Sequence, residues 1–219
     1  MIKTMDGRYV KPAAVLLWSV IFTLLFMPNI LFAQSIVDEW QSVKTPPAPE
    51  LKEVMLDPGT TALLLLDFNK QTCNEKARPR CVRSIPAVAN LLKKVRDNGG
   101  KVIYSLSAGA TAADIPKELS PVGDEPAVTS GPDKFLGTDL EKIIKEKGIK
   151  TVIVTGTAAH GAVLYTASGA ALRGTQVVVA VDGISAENPY AEQYTVWHLK
   201  NAPRVSNQVT LTRTTSIKF

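Results

Sequence analysis

Three short segments of the 219-residue chain carry side chains suited to acid–base or electrostatic chemistry. Asp67 closes the apolar run Ala62-Leu63-Leu64-Leu65-Leu66. A carboxylate at the mouth of such a run loses hydration. That favours its neutral form and moves it toward the range where it can act as an acid or base. The turn Ser130-Gly131-Pro132-Asp133-Lys134-Phe135 offers Lys134, which could pair with that carboxylate or orient a substrate oxygen. The segment Thr155-Gly156-Thr157-Ala158-Ala159-His160-Gly161-Ala162 leads from an apolar run into a helical pattern. Its backbone N–H groups can receive an anion or a developing oxyanion. Each segment also has a structural alternative: a capping aspartate, a surface lysine, and a small-residue turn chosen for close approach. His160 would contact substrate or hold its turn, or else be satisfied by backbone. His198, beside Trp197, reads as a packing or surface residue.

The elements that would position these residues follow from hydrophobic periodicity. Ala62–Leu66, Lys101–Ser105, Thr151–Thr155, Gln176–Val181 and Val209–Leu211 read as strands. The apolar runs among them are continuous, as expected of strands covered on both faces. Between them, apolar residues at helical spacing predict helices over Ile85–Val95, Thr138–Lys147, Gly161–Arg173 and Ala191–Lys200. Thr138 and Glu141 have capping-box spacing. Residues 107–136, with four prolines, read as irregular. Strands alternating with helices predict one doubly wound α/β domain over residues 60–219, with a mostly parallel sheet of five or six strands flanked by helices. In such sheets the site lies beyond the carboxyl ends of the strands, where all three segments fall.

The remaining sequence bounds the setting. Lys3, Arg8 and Lys11 precede an apolar stretch from Ala13 to Met27, and Ala33 offers a small residue for cleavage. Residues 1–33 therefore read as a secretory signal, with an uncleaved membrane anchor as the alternative. Residues 34–59 read as an extension in which Ile36–Val43 forms a short helix before Pro46, Pro47 and Pro49. The protein is expected to be exported, periplasmic or secreted, and to touch a membrane only if the signal stays uncleaved. A formal net charge of +5, without a basic stripe interleaved with aromatics, argues against nucleic acid. Cys73 and Cys81 bracket a loop rich in Lys, Arg and Pro. After export a disulfide is expected, with a free nucleophilic thiol at Cys73 as the alternative. No phosphate-loop glycine pattern and no zinc-like cysteine–histidine set occurs, and no cofactor is expected.

Taken together, Leu64-Leu65-Leu66-Asp67, Phe135-Leu136-Gly137-Thr138-Asp139-Leu140, Val152-Ile153-Val154-Thr155-Gly156, Thr166-Ala167 and Val181-Asp182 resemble the isochorismatase-like superfamily of isochorismatases, nicotinamidases and other cysteine hydrolases. The resemblance covers residues 60–212. It implies a parallel sheet flanked by helices and a small-molecule substrate. It also implies pairing of copies through helices beside the site. The amidohydrolases of that group use an Asp, a Lys and a nucleophilic Cys. Asp67 matches the Asp, and Ala162 occupies the Cys position. Alignment on Phe135 puts Thr129 or Ser130 at the Lys position, with Lys134 a few residues later. The isochorismatases also lack the cysteine and carry Ala-His before that position, as Ala159-His160 does here. There the Asp acts as an acid on an enol ether. The resemblance thus implies catalytic positions at Asp67, Lys134 and Ala162, with Asn69, His160 and Gly161 binding substrate. The nicotinamidase metal site needs a histidine after the first strand, which this chain lacks, so no metal is expected. The expected function is that of an exported hydrolase using Asp67 without a thiol nucleophile. The alternative is a non-catalytic binding protein on the same fold.

Overall fold

A computed structural model describes residues 2–3, 5–10 and 35–219. The apolar stretch Ala13–Met27 and the cut after Ala33 lie outside the described residues. The chain divides into two compact units, Met1–Thr45 and Pro46–Phe219. In the first, β1 (Ile2–Lys3) pairs antiparallel with β2 (Tyr9–Val10). Helix α1 is a single turn, Ile36–Glu39, shorter than the expected 36–43. Its capping box joins Ser35 to Asp38, which satisfies the turn's N-terminal donors.

The second unit is built on a six-stranded, wholly parallel sheet in the order β6-β5-β4-β7-β8-β9. Its strands are β4 (Thr61–Leu66), β5 (Lys101–Leu106), β6 (Ala127–Thr129), β7 (Thr151–Thr157), β8 (Gln176–Ser185) and β9 (Val209–Thr212). All six residues of β4 are buried, with both faces used. Ala62, Leu64 and Leu66 pack into one core cluster, and Leu63 and Leu65 into the other. Each fully buried leucine contributes about 1.5–3 kcal/mol through removal from water. A small parallel pair, β3 (Val54–Met55) with β10 (Ile217–Lys218), lies apart from this sheet. Residues 46–59 run along the same unit: the Lys52 N–H donates to Leu211 O at 2.9 Å and the Leu56 N–H to Lys218 O at 2.9 Å.

Helix α2 (Pro79–Asp97) covers one face with Val88, Leu91, Leu92 and Val95. It starts six residues before the expected Ile85. Pro79 sits in the first turn, where a missing N–H costs nothing. Helices α3 (Leu140–Glu146), α4 (Leu164–Leu172) and α5 (Pro189–Asn201) contribute to the other core cluster. The expected start of α3 is corrected. Asp139, not Thr138, is the N-cap, and the Thr138 hydroxyl instead donates to Lys134 O at 2.5 Å. In α4 the buried side are Ala167, Gly169, Ala170 and Ala171, so this helix can approach the sheet closely. Strand β6 falls inside the stretch read as irregular. It is an edge strand of three residues with only Val128 buried, too short to leave a period in the sequence. Among the described residues no helix is long and apolar enough to cross a membrane.

Two local features carry measurable stability. Gly156 of β7 faces Leu66 with φ 136°, and an added Cβ would lie 2.3 Å from Leu66 O. Gly156→Ala therefore lowers the unfolding free energy by roughly 3 kcal/mol or more through overpacking and backbone strain. A wild-type midpoint in urea unfolding would refute this. Cys73 and Cys81 form a disulfide with a Cα–Cα distance of 5.3 Å. Neither of the chain's two cysteines is free, so the Cys73 nucleophile reading is withdrawn. The bridge closes a loop between residues eight apart in sequence. The double variant Cys73→Ser/Cys81→Ser loses about 2.5 kcal/mol by the loop-entropy relation. Matched unfolding curves of the oxidised protein and the variant measure this directly.

Candidate active site

The carboxyl ends of β4, β5 and β7 are adjacent because β4 lies between the other two. Asp67 follows β4 with φ 55°, a left-handed conformation that Asp and Asn tolerate better than most residues. This kink ends the strand. The Asp67 N–H then donates to Ser105 O of β5 at 3.1 Å, and the Asp67 carbonyl accepts from the Asn69 N–H at 2.8 Å and from the Thr72 hydroxyl. The carboxylate is held on both oxygens. Ser105 Oγ donates to Oδ1 at 2.7 Å, and Lys134 Nζ donates to Oδ2 at 2.8 Å. Lys134 is only 1% exposed and Asp67 6%, so this is a buried ion pair whose two charges answer each other.

The turn before α3 builds the lysine's place. Lys134 Nζ also donates to Ser130 O at 3.0 Å, and the Lys134 N–H to Thr166 Oγ1 of α4 at 3.2 Å. Ser130 Oγ stays within its own turn, bonded to Asp133 O and Leu136 O. It is thus Lys134, and not Thr129 or Ser130, that reaches Asp67.

After β7 the chain enters a π-helical turn, Ala159–Val163, that runs into α4. The expected helix from Gly161 is corrected here. Gly161 departs from helical geometry at φ −118°, ψ −106°, and regular helix begins only at Leu164. Ala162 is buried in the same apolar cluster as Leu66, Phe135 and Val163. With a methyl side chain it offers no nucleophile. His160 is half exposed, with Nδ1 3.9 Å from Glu187 Oε2.

Asn69 is fully buried. Its Oδ1 accepts from Ser107 Oγ at 3.0 Å, while its Nδ2 has no protein partner. A buried amide donor of this kind needs a substrate oxygen or a water to satisfy it. His198 lies in α5 with its ring 5.8 Å from that of Tyr194, away from these groups.

Several residues in this arrangement were not singled out in the sequence. Ser105 had a signal, a hydroxyl at the end of an apolar strand, but its partner could not be read. The disulfide loop supplies Arg78, whose Nε donates to Glu187 Oε1 at 2.7 Å and whose Nη1 donates to Thr72 O at 3.3 Å. Arg78 thereby links the turn after Asp67 to the segment after β8. Burial opposes ionisation of Glu187, yet its own backbone N–H, Arg78 and His160 together hold its carboxyl below the usual glutamate range. Among the described residues, no three His, Cys, Asp or Glu side chains cluster as metal ligands.

Residues 61–214 match the isochorismatase domain. The chain belongs to the isochorismatase family. It is 31% identical over 136 residues to a secreted isochorismatase effector from Verticillium dahliae, with 57% of this chain and 72% of that protein covered. Solved structures give the fold independently. An isochorismatase-like hydrolase from Alkaliphilus metalliredigens superposes with TM-score 0.64 at 24% identity, over 71% of this chain and 95% of its own. A cysteine hydrolase from Pseudomonas syringae pv. phaseolicola superposes with TM-score 0.65 at 18% identity, over 77% and 95%. Within the isochorismatase family frame, this chain combines a buried Asp–Lys pair with alanine in the turn that starts α4.

Proposed function

We propose that this isochorismatase-family protein is an exported hydrolase that cleaves a small-molecule enol ether, with Asp67 as the general acid and no covalent intermediate. The observation that carries the reading is the Asp67 carboxyl, buried at the strand ends and bonded on both oxygens by Ser105 and Lys134. The turn into α4 bears Ala162, which the family resemblance puts at the position of the nucleophilic cysteine. In this reading a proton of the Lys134 ammonium passes along its 2.8 Å hydrogen bond to Asp67 Oδ2. Passed through Asp67 to the terminal vinyl carbon, that proton leaves an oxocarbenium ion at the carbon bearing the ether oxygen. Water adds to this carbon, and its proton returns to the carboxylate. The resulting hemiketal collapses to an alcohol and a carbonyl compound, so no thiol or serine is required. Asn69 Nδ2 and His160 would bind substrate oxygens, and Gly161 would shape the turn. The reading of export rests on the signal-like residues 1–33, on the disulfide, and on the secreted relative.

The test is turnover by the purified protein on a panel of vinyl ethers and small amides, with Asp67→Asn as the control. Turnover of vinyl ethers that depends on Asp67 supports the proposal. Amide turnover without vinyl ether turnover overturns it. A second reading, a binding protein that has lost catalysis, is favoured by the near-complete burial of Asp67 and Lys134 and by the apolar Ala162. Saturable binding of a panel compound with no turnover would establish that reading in place of the first.

A further inference from the structure

A concavity of the second unit lies away from this site. A groove of about 660 Å³ is lined by the segment Pro46–Pro49, by Val181 and Ile184 of β8 and by residues of α5. Neither Asp67, Lys134, Ala162 nor His160 lines it. Its volume falls in the range of small-molecule sites, which are mostly apolar with a few placed polar groups. One wall is Pro46, Pro47 and Pro49, whose rings fix the backbone φ and make that wall stiff. The same lining carries Trp197, 47% exposed. Flat proline and indole faces suit a planar ring between them.

The polar groups give the sign of the ligand's charge. Glu192 is the acidic residue of the lining, and both its oxygens are already used: Oε1 accepts from Arg80 Nε at 2.6 Å and from the Ala186 N–H at 2.9 Å, and Oε2 accepts from Arg80 Nη2. Lys200 is the lining's cation, and among the described residues its ammonium makes one hydrogen bond, a 3.5 Å contact to Val209 O. The Gln193 carboxamide has no hydrogen-bond partner among the described residues and stands in the same lining. The ion pair closed on Glu192, and a Lys200 ammonium that meets a carbonyl but no carboxylate among the described residues, leave the groove one positive charge in excess. We propose that this groove is a second ligand site for a small aromatic anion, its rings between the Pro46–Pro49 wall and Trp197 and its acidic group on Lys200, assisted by Gln193.

The test uses the full chain and two fluorescent probes with the same ring system, 8-anilinonaphthalene-1-sulfonate and its uncharged analogue N-phenyl-1-naphthylamine. The sulfonate is expected to bind saturably, one per chain, and about tenfold more tightly than the neutral probe, as a hydrogen-bonded charge pair allows. Lys200→Gln should erase that difference by weakening the sulfonate about tenfold while leaving the neutral probe unchanged. Trp197→Ala should weaken both probes, with near-UV circular dichroism showing that the fold is kept. If Trp197→Ala fails to fold, Lys200→Gln alone decides the matter, since Lys200 is at the surface. Non-saturable sulfonate binding, equal affinity for the two probes, or a sulfonate affinity unmoved by Lys200→Gln each overturns the proposal. None of these outcomes depends on whether Asp67 is catalytic.

Discussion

Replacing Asp67 by asparagine lowers kcat on a vinyl ether substrate by about 10²–10⁴-fold, the span typical for loss of a positioned general acid. The substitution keeps the backbone and one hydrogen bond of this position, while it leaves the buried Lys134 ammonium without its counter-charge. Asparagine tolerates the left-handed backbone at φ 55° about as well as aspartate, so the kink that ends β4 survives. Its carboxamide oxygen can still accept the hydrogen bond that Ser105 Oγ now gives to Oδ1 at 2.7 Å. What it cannot do is receive a proton from Lys134 and hand it to carbon. If the proposed chemistry is right, kcat falls, KM moves little, and the loss appears in single-turnover experiments. Unaltered turnover in a variant shown to be folded would remove Asp67 from the mechanism, and with it the case for enol ether hydrolysis.

Replacing Lys134 by methionine destabilises the protein by about 3–5 kcal/mol, the usual cost of stripping one partner from a buried ion pair. The magnitude follows from burial. With Lys134 1% exposed and Asp67 6%, the orphaned carboxylate keeps the Ser105 hydroxyl but loses its counter-charge in a place water scarcely reaches. The double variant Asp67→Asn/Lys134→Met removes both charges and recovers most of the loss. The two effects are therefore strongly non-additive, as expected of residues in direct contact. Urea unfolding of the wild type, both single variants and the double variant at neutral pH gives the coupling energy. Additive losses would mean that the 2.8 Å contact carries little energy. The same series separates stability from catalysis: the double variant should be stable and inactive. A buried pair that costs more to keep than an apolar replacement, yet stands at the strand ends, is what a site retained for chemistry would show.

Much of the architecture was legible in the residues because its causes are local. A run such as Ala62–Leu66 is apolar at every position because both faces of β4 are covered, and that pattern appears without knowledge of the neighbours. The alternation of such runs with helical periods implies a parallel sheet, and the position of Asp67 at the end of the first run follows with it. Segments whose structure has no period were not legible. Strand β6 is three residues long, and the first turn of α2 is set by Pro79 and the disulfide rather than by apolar spacing.

The site's members were visible one at a time, but their partnerships were not. Asp67 and Lys134 are 67 residues apart, and Arg78 and Glu187 are 109 apart, so no spacing rule connects them. The strand order 6-5-4-7-8-9 brings the ends of β4, β5 and β7 together. That order joins Ser105 to Asp67, and the turn before α3 adds Lys134. The sequence by itself determined the α/β class, the buried strands, the single disulfide-competent pair and an Asp at a strand end without a cysteine at the helix start. Only the tertiary structure decided which cation meets Asp67, which oxygens are held, and that a proline segment and α5 line a groove. The division has one physical reason. Backbone pattern is set by neighbours within a turn or a strand, whereas charge pairing and cavity shape are set by elements that meet only after the chain has folded.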